Sequence, residues 1–270
     1  IYKVPVTGKK GETSFRGGPA SYLKYGLGYS AWAALFAVLI SVTYGMIYNS
    51  VQANTISLAL NSAFGFDRTV MGIILAIASV AIICGGLGRI ARVTEWMVPL
   101  MAGVYILVAL GIMIYHINLL PHVFAEILED AFSFQAAAGG GMGAAVLTGF
   151  KRGLFSNEAG MGSTPHAHAT AKVSNPCEQG IIAMMGVFID TFIILTMTAL
   201  VILSTGVLGN GQTGAELAQS AFNVGFGDFG NIFIAICMLF FAFTTIIGWY
   251  YFGEVNVRHL FGNKAVKVYA

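Results

Sequence analysis

Charged residues make up only 10% of this 270-residue sequence, and its 3 cysteines, Cys84, Cys177 and Cys237, stand far apart. No stretch carries the basic stripe that nucleic-acid binding requires. Isolated cysteines predict neither a disulfide framework nor a metal cluster. The sequence also lacks an HExxH zinc motif, a GxSxG nucleophile motif and a Walker lysine loop, so no motif indicates an enzyme.

Hydrophobic residues, in contrast, make up 57% of the sequence, and several long runs carry no charge. This composition is typical of a polytopic membrane protein rather than of a large soluble core. We therefore predict an all-α fold with a single transmembrane domain over residues 1–270. The first residue is not Met and the sequence ends as another apolar run begins, so we expect the domain to be incomplete. The expected spans lie at about 31–60, 69–87, 96–116, 131–152, 179–203 and 229–252.

The basic residues follow the expected alternation of these spans across a membrane. If residue 1 is cytoplasmic, every Lys and Arg lies on the cytoplasmic side except Arg68. This distribution is the positive-inside pattern of multi-pass proteins, so it predicts a cell-membrane protein with residue 1 in the cytoplasm. We expect a basic loop over 1–30 and a glycine-rich loop over 206–228.

The fourth span contains a dense glycine cluster, formed by Gly139, Gly140, Gly141 and Gly143 around Met142. Each glycine weakens a helix by about 1 kcal/mol relative to alanine. We predict a helix break here, because transporters place substrates and ions where a membrane helix unwinds, and glycine lets a substrate contact the backbone. The alternative is that the glycines only let another helix pack closely. The glycines of 153–162 are expected to lie in water.

Polar residues also mark the first and fifth spans. Asn49 and Gln52 belong to one polar stripe of the first span, which faces either a water-filled path or hydrogen-bonding partners on other helices. Asp190 lies in the fifth span, where burying a carboxylate costs free energy, so a functional role is the default hypothesis. The alternative is a structural role in which Asp190 bonds to neighbouring threonines. His166 and His168 point to different faces of a short helix, so a metal site is not expected.

Longer motifs occur along the chain in a fixed order: FRGGPASYL, GGLGRIARVTEWMVP, RGLFSNEAGMGSTPHAHA, GVFIDTFIILTMTALVIL and FAFTTIIGWYYFGE. Together they resemble the alanine or glycine:cation symporter family over essentially the whole chain. That family is similar to the LeuT-type transporters, in which two inverted repeats each begin with a broken helix. The resemblance implies a partial LeuT-type core whose spans correspond to helices three to eight, without the first broken helix.

The last span carries the residues to which this resemblance assigns ion and substrate contacts. Thr244 and Thr245 are adjacent hydroxyls, and by resemblance to the LeuT-type sodium site they and the carbonyl of Phe241 would bind Na⁺. The alternative is that both hydroxyls bond to their own helix carbonyls. Trp249, one turn after Thr245, would limit the pocket to small side chains, or else it anchors the helix at the membrane interface.

These observations predict a secondary active transporter that couples Na⁺ to the uptake of alanine, glycine or a similar small amino acid by alternating access. The expected partners are the amino-acid substrate and the lipid bilayer. A proton-coupled carrier, dependent on Asp190 or a histidine, is the alternative.

Overall fold

The computed structural model describes residues 2–7, 13–85, 87–132, 141–158 and 160–269. The chain begins with an antiparallel hairpin of β1 (Val4–Thr7) and β2 (Thr13–Arg16), in which Val4 pairs with Arg16. The helices that follow are α1 (Pro19–Tyr25), α2 (Ser30–Phe64), α3 (Arg68–Ile83), α4 (Leu87–Tyr115), α5 (Leu120–Phe132), α6 (Gly141–Asn157), α7 (Thr164–His168), α8 (Pro176–Ser204), α9 (Ala215–Phe226), α10 (Asp228–Phe261) and α11 (Asn263–Tyr269). Short π-helical segments lie within α2 at Thr43–Ile47 and within α8 at Ile189–Leu195.

Among the described residues, 4 helices are long and apolar enough to cross a membrane: Ser30–Phe64, Gly88–Tyr115, Pro176–Ser204 and Asp228–Phe261. They coincide with the expected first, third, fifth and sixth spans. The expected second span holds the shorter apolar helix α3. The molecule is thus an all-α membrane protein with one small hairpin.

Many large apolar side chains lie on the outer surface of these helices. Trp32, Leu107 and Phe192 are each more than 60% exposed, at 64%, 69% and 66%. Exposure of so many large apolar side chains is unfavourable in water and is expected of helices that face lipid.

The expected fourth span falls partly outside the described residues, since 133–140 are not described. Gly139 and Gly140 are therefore outside the described part, whereas Gly141, Met142 and Gly143 lie in the first turn of α6. The helix break at 139–143 stays a prediction.

The central element of the packing is α10, which contacts α2, α4 and α9. Ile234 and Ile247 of this helix are fully buried. Helix α9 approaches α10 so closely that a Cβ atom on Gly230 would collide with the carbonyl oxygen of Phe222. Because α10 is enclosed by other helices, side chains along it have fixed positions relative to α2.

Two of the expected loops contain regular structure. The segment 1–30 forms the hairpin and α1, and Lys3 fixes the hairpin by placing Nζ 4.1 Å from the Phe15 ring and donating to the carbonyl of Ala171. The segment 206–228 contains α9, whose buried Gln219 donates to the carbonyl of Ala59 over 3.1 Å. Both elements depend on contacts with distant residues, which local composition does not indicate.

Candidate functional site

The chain between α6 and α7 leaves the helical path at residue 158 and returns to it at Thr164. Glu158 has φ 52°, and Gly160 and Gly162 have φ 82° and 81°, left-handed values that interrupt a helix. We call the described residues of this segment, Glu158 and 160–163, the interruption. Ser163 at its end is fully buried, as is His166 in the following turn. Gly160 is exposed and Gly162 is half-buried, so the expectation that the glycines of 153–162 lie in water stays a prediction.

A cavity of about 450 Å³ lies between α2, the interruption and α10. It contains three of the residues selected from the sequence, Gln52, Thr245 and Trp249. The complete lining is Gln52, Phe155, Ser156, Glu158, Thr245, Gly248, Trp249 and Phe252. The polar lining groups come from α2, from the end of α6 with Glu158, and from α10. Three separate segments of the chain therefore contribute to this cavity.

Trp249 forms part of the cavity wall and is only 5% exposed. Its ring makes edge contacts with Tyr44 and Phe155, both with centroids 5.6 Å away, and a tilted contact with Tyr48 at 5.4 Å. Such aromatic contacts fix the orientation of the indole. The alternative role of Trp249 as an interfacial anchor is wrong, because the side chain is enclosed by protein.

Glu158 provides the carboxylate of the cavity. Its Oε2 accepts a hydrogen bond from Ser163 Oγ over 2.6 Å, and its Oε1 accepts one from Trp249 Nε1. Burial raises the pKa of this carboxyl group, and the two hydrogen bonds oppose that rise. The sequence reasoning missed Glu158. Its position among the glycines of SNEAGMG, which permit left-handed backbone, was the available signal.

The proposed Na⁺ ligands lie on the same helix, next to the cavity. Thr244 Oγ1 donates to the carbonyls of Phe240 and Phe241 over 2.9 and 3.0 Å, and Thr245 Oγ1 donates to the carbonyl of Phe241 over 2.8 Å. Both hydroxyls therefore donate to carbonyls of their own helix, which is the alternative to Na⁺ binding given with the sequence. A hydroxyl oxygen that donates its hydrogen keeps lone pairs, and both hydroxyl oxygens lie within hydrogen-bond distance of the Phe241 carbonyl oxygen. Hard cations prefer such oxygen ligands.

The remaining candidates lie elsewhere in the described structure. Asn49 is absent from the cavity lining, and its buried Oδ1 has no hydrogen-bond partner among the described residues. Gly143 is likewise absent from that lining. Of the predicted substrate contacts that the structure describes, the cavity therefore brings together Gln52, Thr245 and Trp249.

Asp190 and its expected threonine partners are arranged differently from the prediction. The carboxylate of Asp190 accepts from Ser156 Oγ over 3.0 Å, whereas Thr191 donates to Asn157 over 2.9 Å. Thr198 instead pairs with the hydroxyl of Tyr105, at 2.6 Å. The bonds of Ser156 and Asn157 attach α8 to the end of α6, beside the cavity, whereas the bond of Thr198 attaches α8 to α4.

His166 is buried, and both of its ring nitrogens lie within hydrogen-bond distance of protein atoms. Its Nδ1 lies 2.8 Å from the carbonyl of Ser163, and its Nε2 lies 2.8 Å from the amide nitrogen of Asn256 on α10. A Cβ atom on Gly18 would lie 2.5 Å from the ring. His168 faces away and accepts from Gln179 over 2.6 Å. Within the described residues no cluster of three or more metal-ligating side chains occurs.

The apolar helices long enough to cross a membrane place the molecule in the class of multi-pass membrane proteins, and a cavity with polar lining residues lies between its helices. The chain belongs to the sodium:alanine symporter family, whose model matches residues 1–270. The resemblance noted in the sequence is thereby confirmed.

Among similar proteins, the amino-acid carrier protein AlsT of Bacillus subtilis (strain 168) is 47% identical over 264 residues, which are 98% of this chain and 56% of AlsT. The sodium/alanine symporter AgcS of Methanococcus maripaludis is 37% identical over 94% of this chain and 57% of AgcS. A sodium/proton-dependent alanine carrier protein of Bacillus sp. (strain PS3) is 38% identical over 83% of this chain and 53% of that carrier. The chain spans about half the length of these curated relatives.

Proposed function

We propose that the protein performs Na⁺-coupled symport of a small amino acid, alanine or glycine, across the cell membrane by alternating access. The observation that carries this proposal is the position of Thr245. It is both a candidate Na⁺ ligand and a residue of the cavity that Trp249 also lines. An ion and a substrate bound at such adjacent positions influence each other's affinity, which is the physical requirement for coupled transport.

The substrate side chain is proposed to face Trp249. The indole is held on three sides by aromatic rings, so it does not readily move aside for a larger side chain. The substrate's ammonium and carboxylate groups would meet backbone carbonyls and N–H groups at a helix interruption. The interruption offers such backbone at Glu158, which lines the cavity, and the glycines of 139–143 stay predicted contacts.

The Na⁺ ion, a transported substrate rather than a cofactor, is proposed to bind the hydroxyls of Thr244 and Thr245 and the carbonyl of Phe241. In a LeuT-type arrangement its other ligands come from the first broken helix. Such a core, with residue 1 in the cytoplasm, is part of this proposal and rests on the family resemblance and the distribution of Lys and Arg.

Proton coupling is the second candidate, and the observation that favours it is Glu158. This buried carboxylate lines the cavity, and Ser163 and Trp249 are its hydrogen-bond partners. It is a better proton-binding group than His166, whose two ring nitrogens are both engaged. Glu158 thus replaces Asp190 and the histidines as the residue on which a proton-coupled mechanism would depend.

The experiment that tests the proposal is uptake of labelled alanine by the full-length protein in proteoliposomes. An inward Na⁺ gradient is compared with an inward proton gradient at zero Na⁺. We expect accumulation with the Na⁺ gradient and none with the proton gradient alone. Accumulation driven equally by protons in the absence of Na⁺ would favour the second candidate, and no accumulation of any small amino acid would reject both.

A further inference from the structure

A second cavity with polar lining residues lies at the C-terminal end of α10. It has a volume of about 190 Å³ and is enclosed by the hairpin, α1 and the last turns of α10. Its lining residues are Val4, Arg16, Gly17, Ala20, Ser21, Lys24, Tyr25, Val255, Asn256, Arg258 and His259. We call it the basic pocket, because Arg16, Lys24 and Arg258 contribute three cationic side chains.

The positive charge of the basic pocket is only partly compensated by the described residues. Arg258 forms an ion pair with Glu254 and donates from Nη1 to Asn263 over 3.0 Å. Arg16 has no comparable ion pair in the described part of the chain. The Nε atoms of Arg16 and Arg258 are both buried without a hydrogen-bond partner there. Burial, followed by the nearby charge of Arg258, lowers the pKa of Arg16. Two guanidinium groups that repel each other and retain unused donors favour an anion between them.

Exposed aromatic side chains adjoin the basic pocket. Tyr22, Tyr25, Tyr29 and Trp32 follow one another along α1 and the start of α2, and they are 40%, 56%, 58% and 64% exposed. Tyr25 also lines the pocket. Tyrosine and tryptophan are enriched at the level of the lipid headgroups, so this row places the pocket at a membrane surface. The distribution of Lys and Arg makes it the cytoplasmic surface.

We propose that the basic pocket binds the phosphate group of an anionic phospholipid from the cytoplasmic leaflet. Arginine suits this ligand because its planar group donates two parallel hydrogen bonds to phosphate oxygens. Negatively charged headgroups also concentrate near basic residues at this surface. The bound phosphate would connect Arg16 of the hairpin and Lys24 of α1 to Arg258 of α10, the helix that also carries Thr244, Thr245 and Trp249.

The test is a lipid titration of the purified full-length protein in detergent, with binding followed by the shift in apparent Tm. The probes are short-chain phosphatidylglycerol, phosphatidylcholine of the same chain length and inorganic phosphate. Arg16→Gln removes one cation of the basic pocket. Lys264→Gln is the matched control, because Lys264 is an exposed cation of the adjacent α11 that is outside the pocket lining. Lys24→Gln is a second pocket variant, used if Arg16→Gln does not fold.

We expect wild type to bind phosphatidylglycerol and not phosphatidylcholine. The pocket variant should lower the affinity by about fivefold or more, since a basic residue near anionic lipid contributes about 1 kcal/mol, and Lys264→Gln should change it by less than about twofold. Equal losses in the pocket variant and in Lys264→Gln would mean diffuse surface charge and would reject the site. Binding of inorganic phosphate as tight as that of phosphatidylglycerol would reject a lipid as the ligand. None of these readouts depends on transport, so they stand apart from the proposed function.

Discussion

Trp249 on α10 donates its indole N–H to the carboxylate of Glu158 in the interruption. This bond connects a wall of the cavity to the segment that leaves the helical path, and Ser163 holds the other carboxylate oxygen. The position of the indole therefore depends both on its aromatic neighbours and on an acidic residue 91 positions earlier in the sequence.

Replacing Trp249 tests size selection. Trp249→Ala removes the ring that encloses the cavity, so larger amino acids should enter it. Loss of packing against alanine itself is a small effect, because one methylene in a hydrophobic pocket changes binding by only about 1 to 3 kcal/mol. The measurement is inhibition of labelled alanine uptake or binding by alanine, glutamine, valine, leucine and methionine. An unchanged rank order in a folded variant would place Trp249 outside the substrate pocket.

Replacing Glu158 tests whether this residue positions Trp249. Glu158→Gln keeps an oxygen that can accept the indole N–H, whereas Glu158→Leu leaves that buried donor unpaired, at a cost of about 1 to 3 kcal/mol. We expect Glu158→Gln to retain the wild-type rank order and Glu158→Leu to admit leucine and methionine. Ser156→Ala is the control, since Ser156 lines the same cavity but bonds to Asp190. Wild-type selectivity in Glu158→Leu would contradict a positioning role.

The buried His166 predicts a loss of stability in acid. Burial lowers its pKa below the ordinary value of 6.5, with the hydrogen bonds to Ser163 and Asn256 opposing this. The unfolded chain therefore binds a proton more readily than the folded one, and stability falls as the pH drops below 6.5, by up to about 1.4 kcal/mol per pH unit until the folded pKa is reached.

The measurement is the apparent Tm of the purified protein against pH. His166→Asn cannot take up this proton, so its Tm should depend less on pH below 6.5, even if it is lower overall. His122→Asn, at an exposed position, is the control and should retain the wild-type profile. A profile of His166→Asn that parallels wild type would mean that other groups cause the acid loss.

The membrane helices could be predicted because their signal is local. Long uncharged runs correspond to α2, α4, α8 and α10, and the bilayer imposes that pattern on any sequence. A polar stripe and the family motifs also selected Gln52, Thr245 and Trp249, which line one cavity, while their contacts with a substrate stay a prediction. Thr245 and Trp249 share a helical face because they are four residues apart, so their meeting at one cavity follows from α10 alone.

The interruption and its contacts could not be predicted in this way. SNEAGMGSTP has the composition of an exposed loop, and only the packing of α2 and α10 around it buries Ser163 and His166. The partners of Glu158 and His166 lie 91 and 90 positions away, at Trp249 and Asn256. Local sequence patterns contain no information on such pairs. The same limit explains why Ser156, the hydrogen-bond partner of Asp190, was not among the possible partners that the sequence offered.

The coupling of Na⁺ to amino-acid uptake is tested most directly by the Na⁺ activation curve of alanine uptake in Thr244→Ala/Thr245→Ala. Thr55→Ala is the matched control, because its hydroxyl also bonds to a helix carbonyl four residues earlier but lies outside the cavity lining. We predict that the double variant needs at least about tenfold more Na⁺ for half-maximal uptake, equivalent to about 1.4 kcal/mol of lost ion binding, while Thr55→Ala matches wild type. A wild-type activation curve in the folded double variant would contradict the account.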